Sequence, residues 1–314
     1  MISKLEKPGQ PADLLRSVAI ALIALLTAYA VTRTAFFQNL DLQLHDVQAR
    51  VLAREVDFSD IVFVDVSEES IKSLEPEIGA WPYSRSTYAK VTEFLREAGA
   101  RSITFDIVFA EGRPQDEDLA ETLAATSGVT LAVLAKDYTI NSAANSDTLL
   151  AHAAWRKPAA VPAFQWKHFI LPREMFVWNG KSIADLGVIA VVPDQDGVLR
   201  RVPLLHQVGD KVLPGLSAAT IFSGKPRPEI RYDAITQHVQ IGPHSWPVNK
   251  DGSVQLRFPS NHRSMEGFHF SDVFYAAMTM RPAEGIAEKI KGRKVFVGST
   301  AESINDYQNT MFGR

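Results

Sequence analysis

A run of sixteen uncharged residues, SVAIALIALLTAYAVT, lies between Arg16 and Arg33 near the start of the chain. As an α-helix the run extends about 24 Å at roughly 1.5 Å per residue. The leucines and phenylalanines that flank it can lengthen it toward the ~30 Å hydrocarbon core of a bilayer. A helix this apolar has to be covered by lipid or by a protein core.

The charges before the run indicate its orientation. Lys4, Lys7 and Arg16 precede it, and cationic residues next to a membrane helix tend to stay in the cytoplasm. We therefore predict that the N-terminus is cytoplasmic and that the main domain lies in the periplasm or extracellular space. The predicted parts are a cytoplasmic N-terminus (1–13), a transmembrane helix (14–37) and an extracytoplasmic domain (38–314).

Two other interpretations of the run remain open. Ala28-Tyr29-Ala30 fits the small-x-small pattern of a signal-peptide cleavage site, and the run could instead be a buried helix of a soluble protein. The first alternative also exports the rest of the chain, whereas the second does not.

Composition and the absence of common motifs exclude several classes of function. A formal net charge of −3 gives no electrostatic reason to bind nucleic acid. The absence of cysteine excludes disulfides and thiolate metal sites. The sequence contains no dinucleotide-binding glycine motif, phosphate loop, nucleophile elbow or zinc-protease motif, and its eight histidines are scattered. We therefore expect no catalytic residues, no metal and no cofactor in this chain.

Buried strands alternate with helices over the first half of the exported part. The β-branched runs IVFVDVS (61–67), SITFDIVF (102–109) and VTLAVLA (129–135) predict three strands. A helix over 84–98 and a second one capped by Asp116 separate them, which predicts a parallel sheet with right-handed crossovers.

The remainder of the exported part does not show this alternation of strands and helices. Residues 137–258 read as irregular segments and short antiparallel strands, and KVFVGST (294–300) predicts another buried strand. The predicted fold class is α/β, with a mainly parallel central sheet flanked by helices, an antiparallel β-rich middle portion, and one N-terminal transmembrane helix in front.

Two acidic residues stand at predicted strand ends. Asp65 and Asp106 each lie near the carboxyl end of a parallel strand, where open α/β sheets bind their ligands. One crossover should place the two strands side by side or nearly so. The two acids could converge on a cation or on a hydroxyl-rich ligand, or each could cap a loop or pair with an arginine.

A second acidic group is found in PDQDGVLRR. Asp194, Asp196 and Gly197 predict a hairpin turn, because the later ligands of a calcium loop are missing. Arg200 and Arg201 follow on the returning strand and point to opposite faces. One of them should face inward and need an acid, for which the strand-end acids are candidates, because a buried unpaired charge is costly.

The order of the segments VDVSEES, GAWPYSR, ITFDIVF, PDQDGVLRRVPL and VFVGSTAESIND resembles the second type of CHASE domain, the cyclase/histidine-kinase-associated sensory extracellular family. The resemblance covers about residues 40–314. It implies a sensor that passes a small-molecule or protein signal to a cytoplasmic adenylate or guanylate cyclase, histidine kinase or serine/threonine kinase. The sensor is expected to be a homodimer anchored by its N-terminal helix.

Two features depart from the family pattern. Met311 stands where the family usually has proline, and Arg314 precedes the segment that leads to further membrane helices. The resemblance therefore implies the sensory half of a receptor, cut before its return to the membrane. Two alternatives remain: an exported hydrolase that uses Asp65 and Asp106 as acid and base, and a dimerisation module without a ligand.

The GAWP corner is predicted to be mainly structural. Pro82 restricts its own φ and favours an extended Trp81, and Arg85 opposes the dipole of the helix that it begins. Such an arginine usually has an acidic partner, and the strand-end acids are the nearest candidates. The expected ligand-binding residues are Asp65, Arg85, Asp106 and Asp306. The expected structural motif comprises Gly79, Trp81, Pro82, Asp194, Asp196, Gly197, Arg200 and Arg201.

Overall fold

The computed structural model describes residues 11–138, 145–261, 264–279, 285–304 and 308–312. The chain divides into two compact units, one up to Ala53 and one that begins at Arg54. We describe each unit by itself.

The first unit contains two helices, α1 (Pro11–Thr32) and α2 (Ala35–Val51). Within α1, the window Leu15–Thr32 has a mean hydropathy of 1.9 and none of it is buried, which counts against a buried soluble helix. Among the described residues it is the one helix long and apolar enough to cross a membrane. A signal sequence has the same length and composition, so the membrane anchor and the signal peptide both remain possible. The segment that follows the apolar run is helical in α2.

The second unit contains the remaining elements. Its helices are α3 (Glu68–Ile78), α4 (Arg85–Glu97), α5 (Asp116–Ala124), α6 (Asn145–Ala153), α7 (Leu216–Phe222), α8 (Phe270–Thr279) and α9 (Ile286–Ile290). Its strands are β1 (Ile61–Asp65), β2 (Ser102–Phe105), β3 (Val129–Lys136), β4 (Phe164–Gln165), β5 (His168–Ile170), β6 (Asp185–Val188), β7 (Arg201–Pro203), β8 (Leu205–Val208), β9 (Lys211–Pro214), β10 (Ile230–Asp233), β11 (His238–Ile241), β12 (His244–Pro247), β13 (Ser253–Gln255), β14 (Gly267–His269) and β15 (Lys294–Gly298).

Seven strands in the described part of the chain form the central sheet. Their order is β14-β1-β15-β2-β3-β5, and β6 also pairs with β3. All of these pairings are parallel except that of β3 with β5. A mixed sheet flanked by helices agrees with the predicted fold class.

The position of β15 shows that β1 and β2 lie near each other but not side by side. β1 and β2 are not neighbours, because β15 pairs with β1 on one side and with β2 on the other. The two strands are joined by the right number of residues for a direct crossover, but a strand from the far end of the chain lies between them. Val295 and Val297 of β15 are buried at that central position, and Phe296 on the opposite face is half-buried.

The two faces of the sheet are covered differently. Val64, Phe105 and Val297 are fully buried on one face, where Tyr88 of α4 packs edge-on against Phe105 with 6.4 Å between ring centroids. Side chains alternate across a strand, so Thr104 lies on the other face. There its hydroxyl is 2.9 Å from that of Thr220 in α7.

The middle of the chain forms three small sheets beside the central one. β10-β11-β12 and the pair β7-β13 are antiparallel, and β9 pairs antiparallel with β8, which takes β4 as a parallel neighbour. A second hydrophobic core fills this region, in which Trp155 packs edge-on against Phe222. The antiparallel β-rich middle portion is therefore present.

The hairpin expected around Asp194 is only partly present. The turn exists, because the Gly197 N–H donates to the Asp194 carbonyl oxygen over 2.9 Å. The strands on either side do not pair with each other, since β6 joins β3 and β7 joins β13. Helix α3, which the sequence analysis did not predict, follows β1 directly with Ser67 as its N-cap.

Gly187 in β6 allows α7 to approach the sheet closely. A Cβ atom at this position would lie 2.6 Å from the Leu216 Cα atom, which is backbone and cannot rotate away. We expect Gly187→Ala to lower the free energy of unfolding by about 2 kcal/mol, because the helix must move off the strand.

Thermal unfolding of the detergent-solubilised chain measures this effect. Gly267→Ala is the matched control, since a Cβ atom on this β14 residue would meet only the Phe63 carbonyl oxygen at 3.5 Å. We expect the control to stay within about 0.5 kcal/mol of the wild type. Equal losses in the two variants would contradict the close approach of α7.

Candidate functional site

Asp65 and Asp106 lie at the same edge of the sheet and at the same level. Asp65 is in register with Gly298 of β15. On the other side of β15, Phe105 of β2 is in register with Val297. The Asp106 N–H donates to the Val297 carbonyl oxygen over 2.8 Å. Asp106 therefore lies at the level of Gly298. Two strand spacings of ~4.8 Å separate the acids, which places their Cα atoms roughly 10 Å apart.

The residue between the two acids has no side chain. A Cβ atom on Gly298 would lie 3.3 Å from the Asp106 Cβ atom and 3.4 Å from the Phe63 ring. The glycine therefore makes room on the face of the sheet that carries both acids. This close approach explains why the last strand ends in small residues.

Asp65 is engaged in closing a loop. Its two carboxylate oxygens accept hydrogen bonds from the Thr300 N–H over 2.9 Å and from the Thr300 hydroxyl over 2.6 Å. The Ser299 hydroxyl donates to the Val66 carbonyl oxygen over 2.7 Å. These bonds tie the loop after β15 to the end of β1, which is the loop-capping role considered for Asp65.

Arg85 does not join the strand-end acids. Its Nε atom donates to Asp116 over 3.0 Å, and one terminal nitrogen donates to the Glu111 carbonyl oxygen over 2.8 Å. The guanidinium carbon lies 4.7 Å from the centroid of the Phe109 ring. Arg85 and Asp116 are both buried, with 4% and 1% of their side chains exposed.

Asp116 is held by several donors. It accepts hydrogen bonds from Arg85, from the Arg113 N–H over 2.9 Å, and from the Arg173 guanidinium. Burial alone would raise the pKa of Asp116, but these hydrogen bonds outweigh it and the pKa is lowered. Asp116 therefore has the partner role that was expected of the strand-end acids.

Alternation along β2 explains this correction. Phe105 points to the face on which α4 packs, and Arg85 begins α4. The next residue, Asp106, must point to the opposite face. Arg85 begins the helix that precedes β2 and Asp106 follows β2. The two side chains nevertheless lie on opposite faces of the sheet.

Arg200 and Arg201 pair with the acids of their own turn. Arg200, with 2% of its side chain exposed, donates to Asp194 over 3.1 Å and to Asp196 over 2.7 Å. Arg201 donates to Asp194 over 3.0 Å and to Asp251 over 3.2 Å. The expected inward arginine is Arg200, and its acids come from the Asp-x-Asp-Gly turn instead of from Asp65 or Asp106.

The GAWP corner ends α3 and begins α4. The Gly79 N–H donates to the Glu75 carbonyl oxygen over 3.0 Å, and Gly79 has a φ of 88°, which glycine adopts without strain. The Trp81–Pro82 peptide bond is cis. The half-buried Trp81 indole packs edge-on against Tyr83, with 5.2 Å between ring centroids. Asp306, the fourth expected ligand-binding residue, lies outside the described residues.

A cleft of about 350 Å³ opens beyond the carboxyl ends of β2 and β6. Asp106 lies in its wall, whereas Asp65 and Arg85 do not line it. Most of the other lining side chains are apolar and come from the segment after β6, from α7 and from the small sheets. The apolar lining includes Ile189, Val191, Val202, Leu216, Ile221, Trp246, Val254 and Leu256.

His206 also lines the cleft but is 1% exposed. Its Nδ1 atom accepts a hydrogen bond from the Trp166 indole N–H over 3.0 Å. Burial lowers the pKa of His206 to about 3, although a hydrogen bond to the Pro203 carbonyl oxygen acts in the opposite direction. The imidazole is therefore neutral near pH 7, with both nitrogens engaged inside the protein.

Sequence reasoning did not find the apolar part of this cleft. One signal was available: the apolar run continues through VIAVVP (188–193), past the end of β6 at Val188. Apolar residues beyond a strand end lie in a loop, where they have to cover another element or face a cavity.

The chain matches a family model, the CHASE2 domain, over residues 18–313. This match covers nearly the whole chain. The chain belongs to the CHASE2 family. CHASE2 domains are extracellular sensory domains of signalling receptors. No curated protein and no solved structure matches the chain.

Membership of the CHASE2 family agrees with two further observations. A CHASE2 domain is a sensory domain, which is consistent with this chain not being an enzyme. CHASE2 domains are also extracellular, and the candidate span in α1 is long and apolar enough to cross a membrane.

Proposed function

We propose that this CHASE2 chain is the periplasmic sensor of a bacterial inner-membrane receptor. In this proposal α1 is an uncleaved anchor with its N-terminus in the cytoplasm. One observation supports this proposal most strongly. The chain belongs to an extracellular sensory family and has an apolar candidate span near its start, and Lys4, Lys7 and Arg16 precede that span.

The signal is proposed to pass to a cytoplasmic cyclase or histidine kinase. This part of the proposal rests on the resemblance of the chain to sensors of such enzymes. Production of cyclic nucleotide and autophosphorylation, measured in membranes that contain the full receptor, distinguish the two outputs. A receptor with neither activity would contradict this part.

The orientation is tested by cysteine labelling, for which the natural chain offers a cysteine-free background. Ile235 lies in the turn between β10 and β11 and is 94% exposed. We expect Ile235→Cys to react with a membrane-impermeant maleimide in intact cells. Ser3→Cys, placed before the apolar run, is expected to react only after the membrane is permeabilised.

Two results would overturn this orientation. Labelling of Ser3→Cys but not Ile235→Cys in intact cells would place the sensor in the cytoplasm. A mature N-terminus at Val31 would show that the Ala28-Tyr29-Ala30 site is cleaved and that α1 is no anchor.

A further inference from the structure

Several apolar side chains of the cleft are only half-buried. Ile189, Val202 and Val254 all fall between buried and exposed. Val202 and Val254 are opposite each other in the β7-β13 pair. Burial of apolar surface stabilises by roughly 25 cal/mol per Å², so an apolar molecule that filled the cleft would gain affinity from these walls.

The volume of the cleft also matches a small-molecule site. Such sites are mostly apolar, occupy roughly 300–1,000 Å³, and contain a few polar groups that orient the ligand. At about 350 Å³ the cleft lies at the lower end of that range. A ligand that fills this cleft would therefore have to be a compact molecule.

The exposed polar side chains in the wall limit the chemistry of the occupant. Both nitrogens of His206 are engaged, so this residue offers nothing to a ligand. Asp106 and Ser217 are exposed in the wall. A carboxylate accepts hydrogen bonds at about four lone-pair sites, so Asp106 can accept from a ligand in addition to its interactions within the protein. Charge-assisted hydrogen bonds between an ammonium group and a carboxylate are stronger than neutral ones.

We propose that the cleft binds a small apolar amine, with its hydrocarbon body against the walls formed by β7, β13 and α7 and its ammonium group at Asp106. This inference deepens the proposed sensory function and rests on it. Asp106 directly follows β2, which pairs with β15, and the loop after β15 is tied through Thr300 to Asp65. A ligand held at Asp106 therefore contacts the central sheet directly.

The test uses the full chain in lipid nanodiscs and two probes, 2-phenylethylamine and 3-phenylpropionate, which share a phenylethyl body and carry opposite charges. Isothermal titration calorimetry should give a Kd for the amine near or below about 1 mM, and at least about tenfold weaker binding of the acid. Empty nanodiscs correct for partition of the amine into lipid.

Three variants locate the site. Asp106→Asn is expected to weaken amine binding at least about tenfold and to remove the preference over the acid. Asp65→Asn is the matched control, because Asp65 stands at the same level of the sheet outside the cleft, and it should leave the Kd within about twofold of the wild type. Val254→Phe fills the cleft from the β13 side and should abolish binding of the amine. Thermal melts verify that each variant is folded.

The proposal is overturned if the wild type shows no saturable amine binding or binds the two probes equally. It is also overturned if folded Asp106→Asn binds the amine as the wild type does, or if Asp65→Asn loses as much affinity as Asp106→Asn. Cysteine labelling decides the orientation of the sensor independently, so a failure of the ligand class leaves that result intact.

Discussion

Replacement of Arg200 by methionine is expected to lower the free energy of unfolding by about 4 kcal/mol. Arg200 is almost completely buried and lies between Asp194 and Asp196. Methionine keeps much of the length of the side chain but removes the cation that holds these two carboxylates together. Their mutual repulsion and incomplete solvation then destabilise the folded state.

Arg201→Met is the matched control. Arg201 is the next residue along the chain and also pairs with Asp194, but 40% of its side chain is exposed to solvent. Exposed ion pairs contribute little, so we expect a loss below about 1 kcal/mol. Chemical denaturation of the detergent-solubilised chain, followed by tryptophan fluorescence, measures both variants. Equal losses would show that burial does not determine the strength of this cluster.

Asp116→Asn is expected to cost about 3 kcal/mol, because it leaves the buried guanidinium of Arg85 facing a neutral amide. For a domain of this size such a loss corresponds to a fall in melting temperature on the order of 10 °C. Asp118→Asn, the same change on the exposed side of the first turn of α5, should stay within about 0.5 kcal/mol of the wild type.

The pH dependence of Asp116→Asn gives a second readout. The pKa of Asp116 is lowered in the folded protein, so its ionised form contributes stability in full above the unfolded value of ~3.9. That contribution is lost as the pH falls through the folded pKa. The stabilities of the wild type and the variant should therefore converge below about pH 4. A constant difference down to pH 2 would show that the carboxylate charge is not responsible.

Local patterns predicted most elements of the central sheet. The β-branched runs ending near Asp65 and Phe105 are strands, the amphipathic run beginning near Arg85 is α4, and KVFVGST contains β15. Each of these signals is carried by neighbouring residues, so it can be read without knowledge of the fold. Helix α3 was missed because Pro76 lies inside it and its surface is mostly polar.

Pairings over long sequence distances could not be predicted in the same way. Nothing near Asp65 or Asp106 shows that Gly298, from near the other end of the chain, stands between them. The sequence does not show which face of the sheet α4 covers, so it could not identify Asp116 as the acidic partner of Arg85. The apolar cleft likewise draws on β6, α7 and β13, which are distant in sequence.

The sequence by itself determined the family, the candidate span in α1, the α/β class and the position of both strand-end acids at one edge of the sheet. These features depend on composition and on short periodic patterns. The tertiary structure alone decided that β15 separates β1 from β2, that Asp116 is the partner of Arg85, and that Asp106 rather than Asp65 lines the cleft. The physical reason is alternation: one residue along a strand reverses the face, and only packing determines what each face meets.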